Sequence, residues 1–180
     1  MKFIATPLPG AWVIEPERIE DARGFFARSF SDEEFESRGL NPRVVQANIS
    51  YNARKGTLRG MHYQRPPMAE AKLVRCTRGA IWDAIIDMRR GSTSFGRHFG
   101  VRLDADNRRM LYIPEGCAHG FLTLQDDTEV AYQMSQKYSP EHGTGVRWND
   151  PAFGIEWPGE VAVIADRDRD YPDFSGVGGP

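Results

Sequence analysis

The sequence predicts an all-β domain, a jelly-roll-type barrel that carries one or two short helices. Three observations favour this class. Short apolar runs rich in β-branched and aromatic residues recur along the chain, bounded by Gly, Pro, Asp or Asn. The 18 Gly and 12 Pro lie between these runs as turn signals. Helix signals are clear in one segment, so strands do not alternate with helices as they do in α/β folds.

The runs are assigned in chain order to strands and one helix. The helix begins after Ser31, because Ser31 and Glu34 have the spacing of a capping box, and Gly39 supplies a C-terminal stop. The alternating charges of residues 166–170 are typical of a solvated loop. The predicted strands are 11–15, 24–30, 43–50, 57–63, 72–77, 80–87, 98–103, 110–113, 120–124, 129–135 and 161–165.

Length and composition limit the function classes. A chain of 180 residues suits a single domain, and residues 172–180, rich in Gly and Pro, are expected to form a loose tail. The formal net charge of −2 does not favour a nucleic-acid partner. No apolar run reaches the roughly 18 residues of a membrane span, and no signal peptide is recognisable. Two cysteines, Cys76 and Cys117, make no disulfide framework, so we expect a cytoplasmic protein.

His62 is a candidate ligand-facing residue. In an extended strand, Gly60, His62 and Gln64 point to the same side, and a glycine beside the imidazole leaves room for a ligand. Arg59 has the opposite parity and joins that side only if Gly60 kinks the strand. The alternative is a half-buried histidine that hydrogen-bonds a backbone carbonyl. The strand pattern alone leaves both interpretations open.

His119 lies in a turn-and-strand motif. The spacing Pro114-x-Gly116-x-x-His119 places a tight turn before the strand that carries the histidine, and it resembles the second motif of cupin barrels. Metal-binding cupins usually supply His-x-His and a glutamate from their first motif, whereas here an amide replaces the second histidine. The motif therefore predicts the barrel and no metal ion. The alternative, a metal-dependent cupin enzyme, would use His62, Gln64, Glu70 and His119.

Two tyrosines and a lysine are further candidates. Tyr132 and Tyr138 share strand parity, and six extended residues span about 20 Å, enough to contact both ends of a nucleotide-sugar. Aromatic lining of a sheet face is the simpler interpretation. Lys72 opens an apolar strand, where a lysine commonly guards a solvated edge. Any aspartate of 166–170 can orient a histidine, because a carboxylate on one ring nitrogen fixes the tautomer of the other.

Nine segments in order resemble the dTDP-4-dehydrorhamnose 3,5-epimerase family, which comprises carbohydrate epimerases on a cupin jelly roll. They include Arg-Gly-Phe-Phe at 23–26, the ten residues 55–64 around His62, and the motif around His119. The resemblance covers nearly the whole chain, from about residue 3 to residue 172. The segments are 23–26, 46–48, 55–64, 72–74, 87–96, 114–121, 132–140, 148–151 and 154–158.

The resemblance implies a cofactor-free proton transfer. The substrate would be a nucleotide diphosphate 4-keto-6-deoxyhexose, whose C3 and C5 hydrogens are acidified by the ketone. His62 would be the base, Asp168 would orient it, Tyr132 would be the acid, and Lys72 would stabilise the enolate. The implied substrate-binding residues are Arg23 and Arg59 at the diphosphate, Gln46 and Asn48 at the nucleotide, His119 near the sugar, Tyr138 stacked on the base, and Arg28 and Arg167, which replace residues of the family pattern.

The chain departs from the family pattern at positions expected around the substrate. Arg28 stands where the family usually has a substrate-contacting glutamate, and Ala47 replaces the aspartate of Gln-Asp-Asn. Gly143 stands in place of another such glutamate, and Ala165 replaces a serine. The base, acid and lysine are retained. These departures favour a relative that acts on another base, on another 4-keto sugar, or at one carbon only.

Other function classes stay open beside the epimerase. They are a metal-dependent cupin enzyme, a ketoisomerase on the same barrel, and a non-catalytic binder of sugar nucleotides. The family forms dimers in which an early segment of one subunit borders the site of the other. The resemblance therefore implies a homodimer in which Arg23 can act across the interface. Neither nucleic acid nor a membrane is an expected partner.

Overall fold

The computed structural model describes residues 1–176, and these consist mainly of β-strands. Helix α1 (Asp32–Glu36) lies between β4 and β5, and helix α2 (Asp166–Arg169) follows β14. The strands are β1 (Lys2–Ala5), β2 (Trp12–Glu15), β3 (Arg18–Asp21), β4 (Gly24–Ala27), β5 (Gln46–Asn52), β6 (Thr57–Gln64), β7 (Lys72–Arg78), β8 (Ala80–Asp87), β9 (His98–Asp104), β10 (Met110–Ile113), β11 (Cys117–Thr123), β12 (Thr128–Met134), β13 (Gly143–Gly145) and β14 (Val163–Ile164).

The strands form two facing sheets and a separate hairpin. The first sheet has the order β1-β2-β10-β7-β12-β5, and the second has the order β13-β6-β11-β8-β9, with β14 also paired to β6. Strands β3 and β4 pair only with each other. Strands that are distant in sequence, such as β2 and β10, lie side by side because the chain crosses between the sheets. The predicted all-β jelly roll is confirmed.

The main core lies between the two sheets. Ile81 and Ile85 of β8 are fully buried in it, and burial of such a side chain contributes about 1.5–3 kcal/mol. Ala84 and Ile86 have the opposite parity on β8 and are buried on the outer side, beneath apolar residues of the segment 146–157. Strand β8 is therefore covered on both faces, which explains its almost continuous apolar sequence.

Helix α1 is where the capping signals predict it. The Ser31 side chain accepts a hydrogen bond from the Glu34 N–H at 3.5 Å, and Gly39 takes a left-handed conformation with φ +68° just beyond the helix. Phe35 is fully buried against the ring of Tyr112, with the ring centroids 5.6 Å apart. The helix thus covers part of the outer face of the first sheet.

Strands β1, β3 and β13 and helix α2 are absent from the sequence-based assignment. Strand β3 is exposed along its whole length and has no apolar alternation, and the Gly-Thr-Gly of β13 becomes a strand through its pairing with β6. Helix α2 is a single turn without a side-chain cap, so its sequence carries no helix signal. Over residues 1–176, no helix has the length and apolar character to cross a membrane.

The first part of the predicted loose tail is packed. The ring of Phe174 lies 5.0 Å from that of Phe153 and 6.2 Å from that of Phe95, measured between centroids. The Phe174 N–H also donates to the Asp150 carboxylate. One aromatic side chain therefore anchors a segment whose composition otherwise indicates a coil. The rest of the prediction, for residues 177–180, lies outside the described part of the chain.

Candidate active site

A cavity of about 570 Å³ opens between the two sheets of the barrel, a volume that suits a small-molecule ligand. Its walls come from β5, β7 and β12 of the first sheet and from β6 and β11 of the second. Most of the residues predicted for the site line it: Gln46, Asn48, Arg59, His62, Lys72, His119, Tyr132, Tyr138, Arg167 and Asp168.

His62 is held by a carboxylate. Its Nε2 lies 2.7 Å from Oδ1 of Asp168, whose Oδ2 accepts the Gly60 N–H at 3.1 Å. Burial would raise the pKa of Asp168, but the hydrogen bonds from His62 and Gly60 and the positive charge of Arg167 lower it below its ordinary value. The ionised carboxylate accepts the Nε2 proton, which leaves the lone pair of His62 on Nδ1. Helix α2 supplies this aspartate to the cavity.

Gly60 brings Arg59 to the same cavity as His62. His62 is the cross-strand partner of His119, whereas Arg59 is the partner of Phe121, so β6 has one more residue than β11 between these points. This bulge reverses the strand parity. Gly60 has φ +130°, and a Cβ atom there would lie 2.4 Å from the Gly120 Cα atom. The kink that the sequence required for Arg59 is present.

Lys72 is a buried, compensated cation. Its Nζ lies 2.8 Å from Oε1 of Glu70 and donates to the backbone carbonyl of His62 at 3.2 Å. The other Glu70 oxygen accepts the Gln64 N–H at 3.1 Å. An ammonium has three N–H donors, so one remains for a ligand in the cavity. The interpretation of Lys72 as a solvated edge residue is wrong.

His119 forms a second histidine–aspartate pair beside the first. Its Nε2 lies 2.7 Å from Oδ1 of Asp83, a fully buried residue of β8. The other oxygen of Asp83 has no hydrogen-bond partner among residues 1–176. Because His119 is also the cross-strand partner of His62, two carboxylate-backed imidazoles lie side by side in the wall of the cavity.

Tyr132 enters the cavity from the sheet opposite His62. Burial raises the pKa of its phenol, and the positive charge of Arg59 offsets this only in part. The hydroxyl is therefore protonated at neutral pH. Tyr138 is half-exposed at the rim, where Arg167 donates from Nε to the Tyr171 hydroxyl at 3.4 Å. The hydroxyls of Tyr138 and Tyr171 raise the pKa of Arg167, which keeps its positive charge.

Gln46 and Asn48 form a polar strip along β5 that runs between the two tyrosines. Gln46 Nε2 donates to Asn48 Oδ1 at 3.1 Å, and Gln46 Oε1 accepts the Tyr138 N–H at 3.1 Å. Asn48 is the cross-strand partner of Tyr132. Side chains that can hydrogen-bond a ligand therefore line the cavity between Tyr132 and Tyr138.

Arg23 and Arg28 do not line the cavity of their own chain, so they can contact a ligand there only from another chain, as the resemblance implies for Arg23. Arg23 lies at the turn of the β3–β4 hairpin with 89% of its side chain exposed and pairs with Asp21. Arg28 lies 3.8 Å from Glu34 of helix α1. The hairpin pairs with neither sheet, and neither arginine lines the cavity.

The residues of the metal-dependent alternative are engaged elsewhere. The Gln64 amide donates to two backbone carbonyls and accepts the Ser139 N–H at 2.5 Å, and Glu70 binds Lys72. Among residues 1–176, no three His, Cys, Asp or Glu side chains are grouped as metal ligands. Gln64 and Glu70 thus serve here as structural hydrogen-bonding groups, while His62 and His119 line the cavity.

Two polar residues at the site, Asp83 and Asn52, have no place in the sequence-based set, and Glu70 appears there only as a ligand of the metal-dependent alternative. Asp83 carries a signal, because it interrupts the apolar run of β8. Glu70 shares strand parity with Lys72, a weaker signal for an ion pair. Asn52 carries none, since its contact with Arg59 joins the end of one strand to the bulge of the next. Sequence reasoning identifies the groups that face the cavity better than the groups behind them.

A jelly-roll barrel with two carboxylate-backed histidines, a compensated lysine and a protonated tyrosine in one cavity defines an enzyme of the cupin class. The comparison with known proteins makes this class specific. The family model of dTDP-4-dehydrorhamnose 3,5-epimerase matches residues 5–176, and the chain belongs to this family of isomerases.

Relatives and solved structures agree with this assignment. The chain is 45% identical over 173 residues to a dTDP-4-dehydrorhamnose 3,5-epimerase of Methanothermobacter thermautotrophicus, covering 94% of this chain and 92% of the relative. It resembles the crystal structure of a dTDP-4-dehydrorhamnose 3,5-epimerase from Bacillus anthracis with TDP and PPi bound, with a TM-score of 0.91, 42% identity, and 96% and 99% of the two chains covered. It also resembles ChmJ, a 3'-monoepimerase from Streptomyces bikiniensis in complex with dTDP-quinovose, with a TM-score of 0.86, 35% identity, and 93% and 85% covered.

Proposed function

We propose that this protein epimerises C3, C5 or both of a nucleotide diphosphate 4-keto-6-deoxyhexose of the dTDP-4-dehydro-6-deoxyglucose type, as a step of deoxysugar biosynthesis such as the route to dTDP-rhamnose. The observation that carries the proposal is the 2.7 Å hydrogen bond between Asp168 and His62 Nε2 in a cavity that Tyr132 lines from the opposite sheet. Inversion needs a base on one face of the sugar ring and an acid on the other. The two walls of the cavity supply one each.

His62 is the base in this proposal. Nδ1 removes the proton from the carbon beside the ketone, and the ionised Asp168 keeps the Nε2–H tautomer that makes this possible. The ketone oxygen then becomes an enolate oxygen. The third N–H of Lys72 stabilises its negative charge, because Lys72 is already fixed by Glu70 and by the His62 carbonyl.

Tyr132 is the acid that completes the inversion. Its phenol returns a proton to the opposite face of the same carbon, and the raised pKa of Tyr132 ensures that this proton is present at neutral pH. After the transfer, His62 holds one proton more and Tyr132 one fewer. Exchange with solvent restores both, so the reaction needs no cofactor.

The remaining cavity residues bind the nucleotide in this proposal. Arg59 and Arg167 have no ion pair with a carboxylate among residues 1–176, so their charge is available to a diphosphate. Tyr138 stacks on the base at the rim, and Gln46 and Asn48 bond the nucleoside along β5. His119 faces the sugar.

We also propose that the protein is a homodimer of the cytoplasm. The β3–β4 hairpin exposes Ile19 and Phe26, and Ile49 is 70% exposed on β5, the edge strand of the first sheet. An isolated two-stranded hairpin is marginally stable, and exposed apolar side chains favour an interface. In the dimer, Arg23 and Arg28 lie against the cavity of the partner. A mass of twice 20.3 kDa in light scattering, reduced by Ile49→Asp, is the expected result.

Hydrogen exchange tests the proposed activity. The protein is incubated in deuterated buffer with nucleotide diphosphate 4-keto-6-deoxyhexoses, and NMR follows the loss of the C3 and C5 hydrogens separately. We expect exchange with at least one nucleotide form, no exchange in His62→Ala, and in Tyr132→Phe a larger loss of product formation than of exchange. The proposal fails if neither carbon exchanges with the thymidine, cytidine, guanosine or uridine form.

The same experiment separates the neighbouring functions. Exchange at C3 alone would assign a single-site epimerase, which the similarity to the 3'-monoepimerase ChmJ favours as the second candidate. A product whose ketone has moved would assign a ketoisomerase. Binding that stabilises the fold without any exchange would assign a sugar-nucleotide binder. A stoichiometric transition metal found by elemental analysis would assign the metal-dependent alternative.

A further inference from the structure

Asn52, the last residue of β5, has a buried side-chain amide that makes three hydrogen bonds, two through Nδ2 and one through Oδ1. Its Nδ2 donates to the backbone carbonyls of Ser50 at 3.1 Å and Thr128 at 3.2 Å. Carbonyl oxygens only accept, so the orientation of the amide is determined by its neighbours. Oδ1 must therefore face the other way, where it accepts the Nε–H of Arg59 at 2.8 Å.

The Arg59 contact fixes the plane of a cation that lines the cavity. A guanidinium is planar, and its Nε–H direction sets where the two Nη groups point. With Nε bound to Asn52, the Nη end carries the remaining donors, of which one makes a long 3.5 Å contact with the Tyr51 carbonyl. Because Arg59 lines the cavity, these Nη donors are available to the phosphate oxygens of a ligand bound there.

Arg59 and Arg167 both keep an uncancelled charge, but among residues 1–176 only Arg59 is oriented by a buried amide. Lys72 is neutralised by Glu70 at 2.8 Å, and Arg167 is held by tyrosine hydroxyls at the rim. Arg59 is bound instead by a neutral amide, which orients the guanidinium without cancelling its charge. An aspartate at position 52 would offset the positive charge of Arg59 and could not donate to the Ser50 and Thr128 carbonyls, so an amide meets both requirements.

We propose that Asn52 is a positioning residue for nucleotide diphosphate binding, acting through Arg59. The inference rests on the proposed function, since it assigns the diphosphate to Arg59. Asn52 does not contact the reacting sugar carbons in this scheme, so its loss raises KM and leaves kcat close to the wild-type value. The expected loss of dTDP affinity is about tenfold, the usual effect of one hydrogen bond to a charged group.

Calorimetric titration with dTDP and with thymidine tests the inference. Asn52→Ala is expected to weaken dTDP about tenfold and to leave thymidine, which lacks the diphosphate, unchanged. Arg59→Lys keeps the charge and lacks the Nε–H fork, so it is expected to weaken dTDP by a similar factor. In the Arg59→Lys background, Asn52→Ala is expected to add nothing, because the group through which Asn52 acts is already gone.

A matched control addresses the structural role of Asn52. Thr128 of β12 is the cross-strand partner of Asn52, and its fully buried hydroxyl donates to the Gln125 carbonyl. Thr128→Val removes this hydroxyl without removing a contact to Arg59. It is expected to lower the melting temperature and to leave dTDP binding unchanged. The inference would be overturned in favour of a purely structural role by either of two results. One is that Thr128→Val weakens dTDP binding as much as Asn52→Ala does, and the other is that Asn52→Ala weakens it equally in the wild-type and Arg59→Lys backgrounds.

Two further outcomes separate this inference from the proposed function. If wild-type protein binds dTDP and Asn52→Ala binds it equally well, the positioning role is wrong and the epimerase proposal stands. If Arg59→Lys binds dTDP as tightly as the wild-type protein, the positioning role is also wrong, because a point charge would then suffice. If the wild-type protein binds none of dTDP, CDP, GDP and UDP, the proposed function and the positioning role both fail.

Discussion

Asp168 holds two groups that differ in kind. One oxygen accepts from the His62 ring at 2.7 Å, and the other accepts from the backbone N–H of Gly60 at 3.1 Å. The same carboxylate therefore orients the proposed base and ties down the bulge of the strand that carries it. This double use explains why the residue is buried although it lies in a run of alternating charges.

Asp168→Asn tests the orientation of the base. The amide preserves the shape, but it can donate toward Nε2 and so favours the wrong tautomer of His62. We expect hydrogen exchange at C3 and C5 to fall by about 100- to 10,000-fold while dTDP affinity stays within about threefold. The control is Asp166→Asn on the same helix turn, an exposed residue paired only with Arg169. Exchange at the wild-type rate in Asp168→Asn would remove Asp168 from the mechanism.

At the scale of residues, the sequence indicates several side chains that line the cavity and few of the groups behind them. His62 and Tyr132 follow from strand parity and resemblance, and both line the cavity. The carboxylates that bond His62 and His119 come close to them only in the folded chain. Asp83 is 36 positions from His119, and Asp168 is 106 positions from His62. No local pattern encodes such pairs, and only the family resemblance indicates Asp168.

Strand β6 illustrates how an element can carry function through an irregularity. Its central bulge places two residues of opposite parity in one cavity, and the cost is a backbone conformation that favours glycine. The sequence predicts the strand and names Gly60 as the kink that Arg59 would need. It does not predict that the backbones at Gly60 and Gly120 approach so closely that neither tolerates a side chain.

Gly60→Ala tests this requirement. A Cβ atom would meet the His119 carbonyl oxygen at 2.8 Å and the Gly120 Cα atom at 2.4 Å, in addition to the strain at φ +130°. We expect the free energy of unfolding to fall by about 2 kcal/mol or more, measured by urea denaturation. Gly91→Ala, where nothing lies within 4 Å of the added atom, is the control and should change it by less than about 1 kcal/mol. Equal stability of the two variants would contradict the packing argument.

The turn between β8 and β9 is held by a buried carboxylate, Asp87. Burial would raise its pKa, but hydrogen bonds from Arg89, Ser92 and Ser94 hold the pKa at about 2. The Arg89 Nε lies 2.8 Å and the Ser94 Oγ 2.6 Å from the carboxylate. Such a network stabilises the native state only while Asp87 is ionised.

This network makes stability depend on acid pH in a defined direction. The pKa of Asp87 is lowered from 3.8 to about 2, so the unfolded chain takes up the proton first as the pH falls. The stabilisation is complete above about pH 4 and is lost toward pH 2, and it amounts to about 2 kcal/mol. Asp87→Asn is expected to be less stable at pH 7, and its difference from wild type in the free energy of unfolding should narrow by most of that amount between pH 5 and pH 2.5 in urea titrations. For Asp106→Asn, at an exposed position, the difference from wild type in the free energy of unfolding should stay constant over the same pH range.

The molecule exposes apolar side chains on the β3–β4 hairpin and also on the edge strand β5. Phe25 is anchored between the guanidinium groups of Arg18 and Arg108, while Phe26 on the other face is 71% exposed. This arrangement is why Arg23 and Arg28 could not be assigned from one chain. The surface that the hairpin would contact in the proposed homodimer belongs to the other subunit, so it is seen neither in the sequence nor in one chain.

Subunit mixing tests whether Arg23 serves the partner's cavity. We expect His62→Ala homodimers to be inactive and Arg23→Ala homodimers to bind dTDP about tenfold more weakly. In a heterodimer of the two, the cavity with His62 receives Arg23 from the other subunit, so one complete site forms. Co-expressed, separately tagged heterodimers should therefore exchange substrate hydrogens at about half the wild-type rate per dimer, an estimate based on one intact site. Activity no better than that of the Arg23→Ala dimer would mean that Arg23 acts within its own chain.

The position of Asp168 late in the chain has a consequence for biosynthesis of the protein. The strands that build both sheets, β1 to β14, leave the ribosome before helix α2, which carries the aspartate. The paired strands are therefore synthesised before the proposed base, His62, can meet the carboxylate that orients it. In the proposed mechanism, activity requires that the segment carrying Asp168 and Phe174 docks on the barrel. A chain interrupted after residue 165 would be expected to retain its paired strands and lose hydrogen exchange, which pulse-labelled translation arrest would reveal.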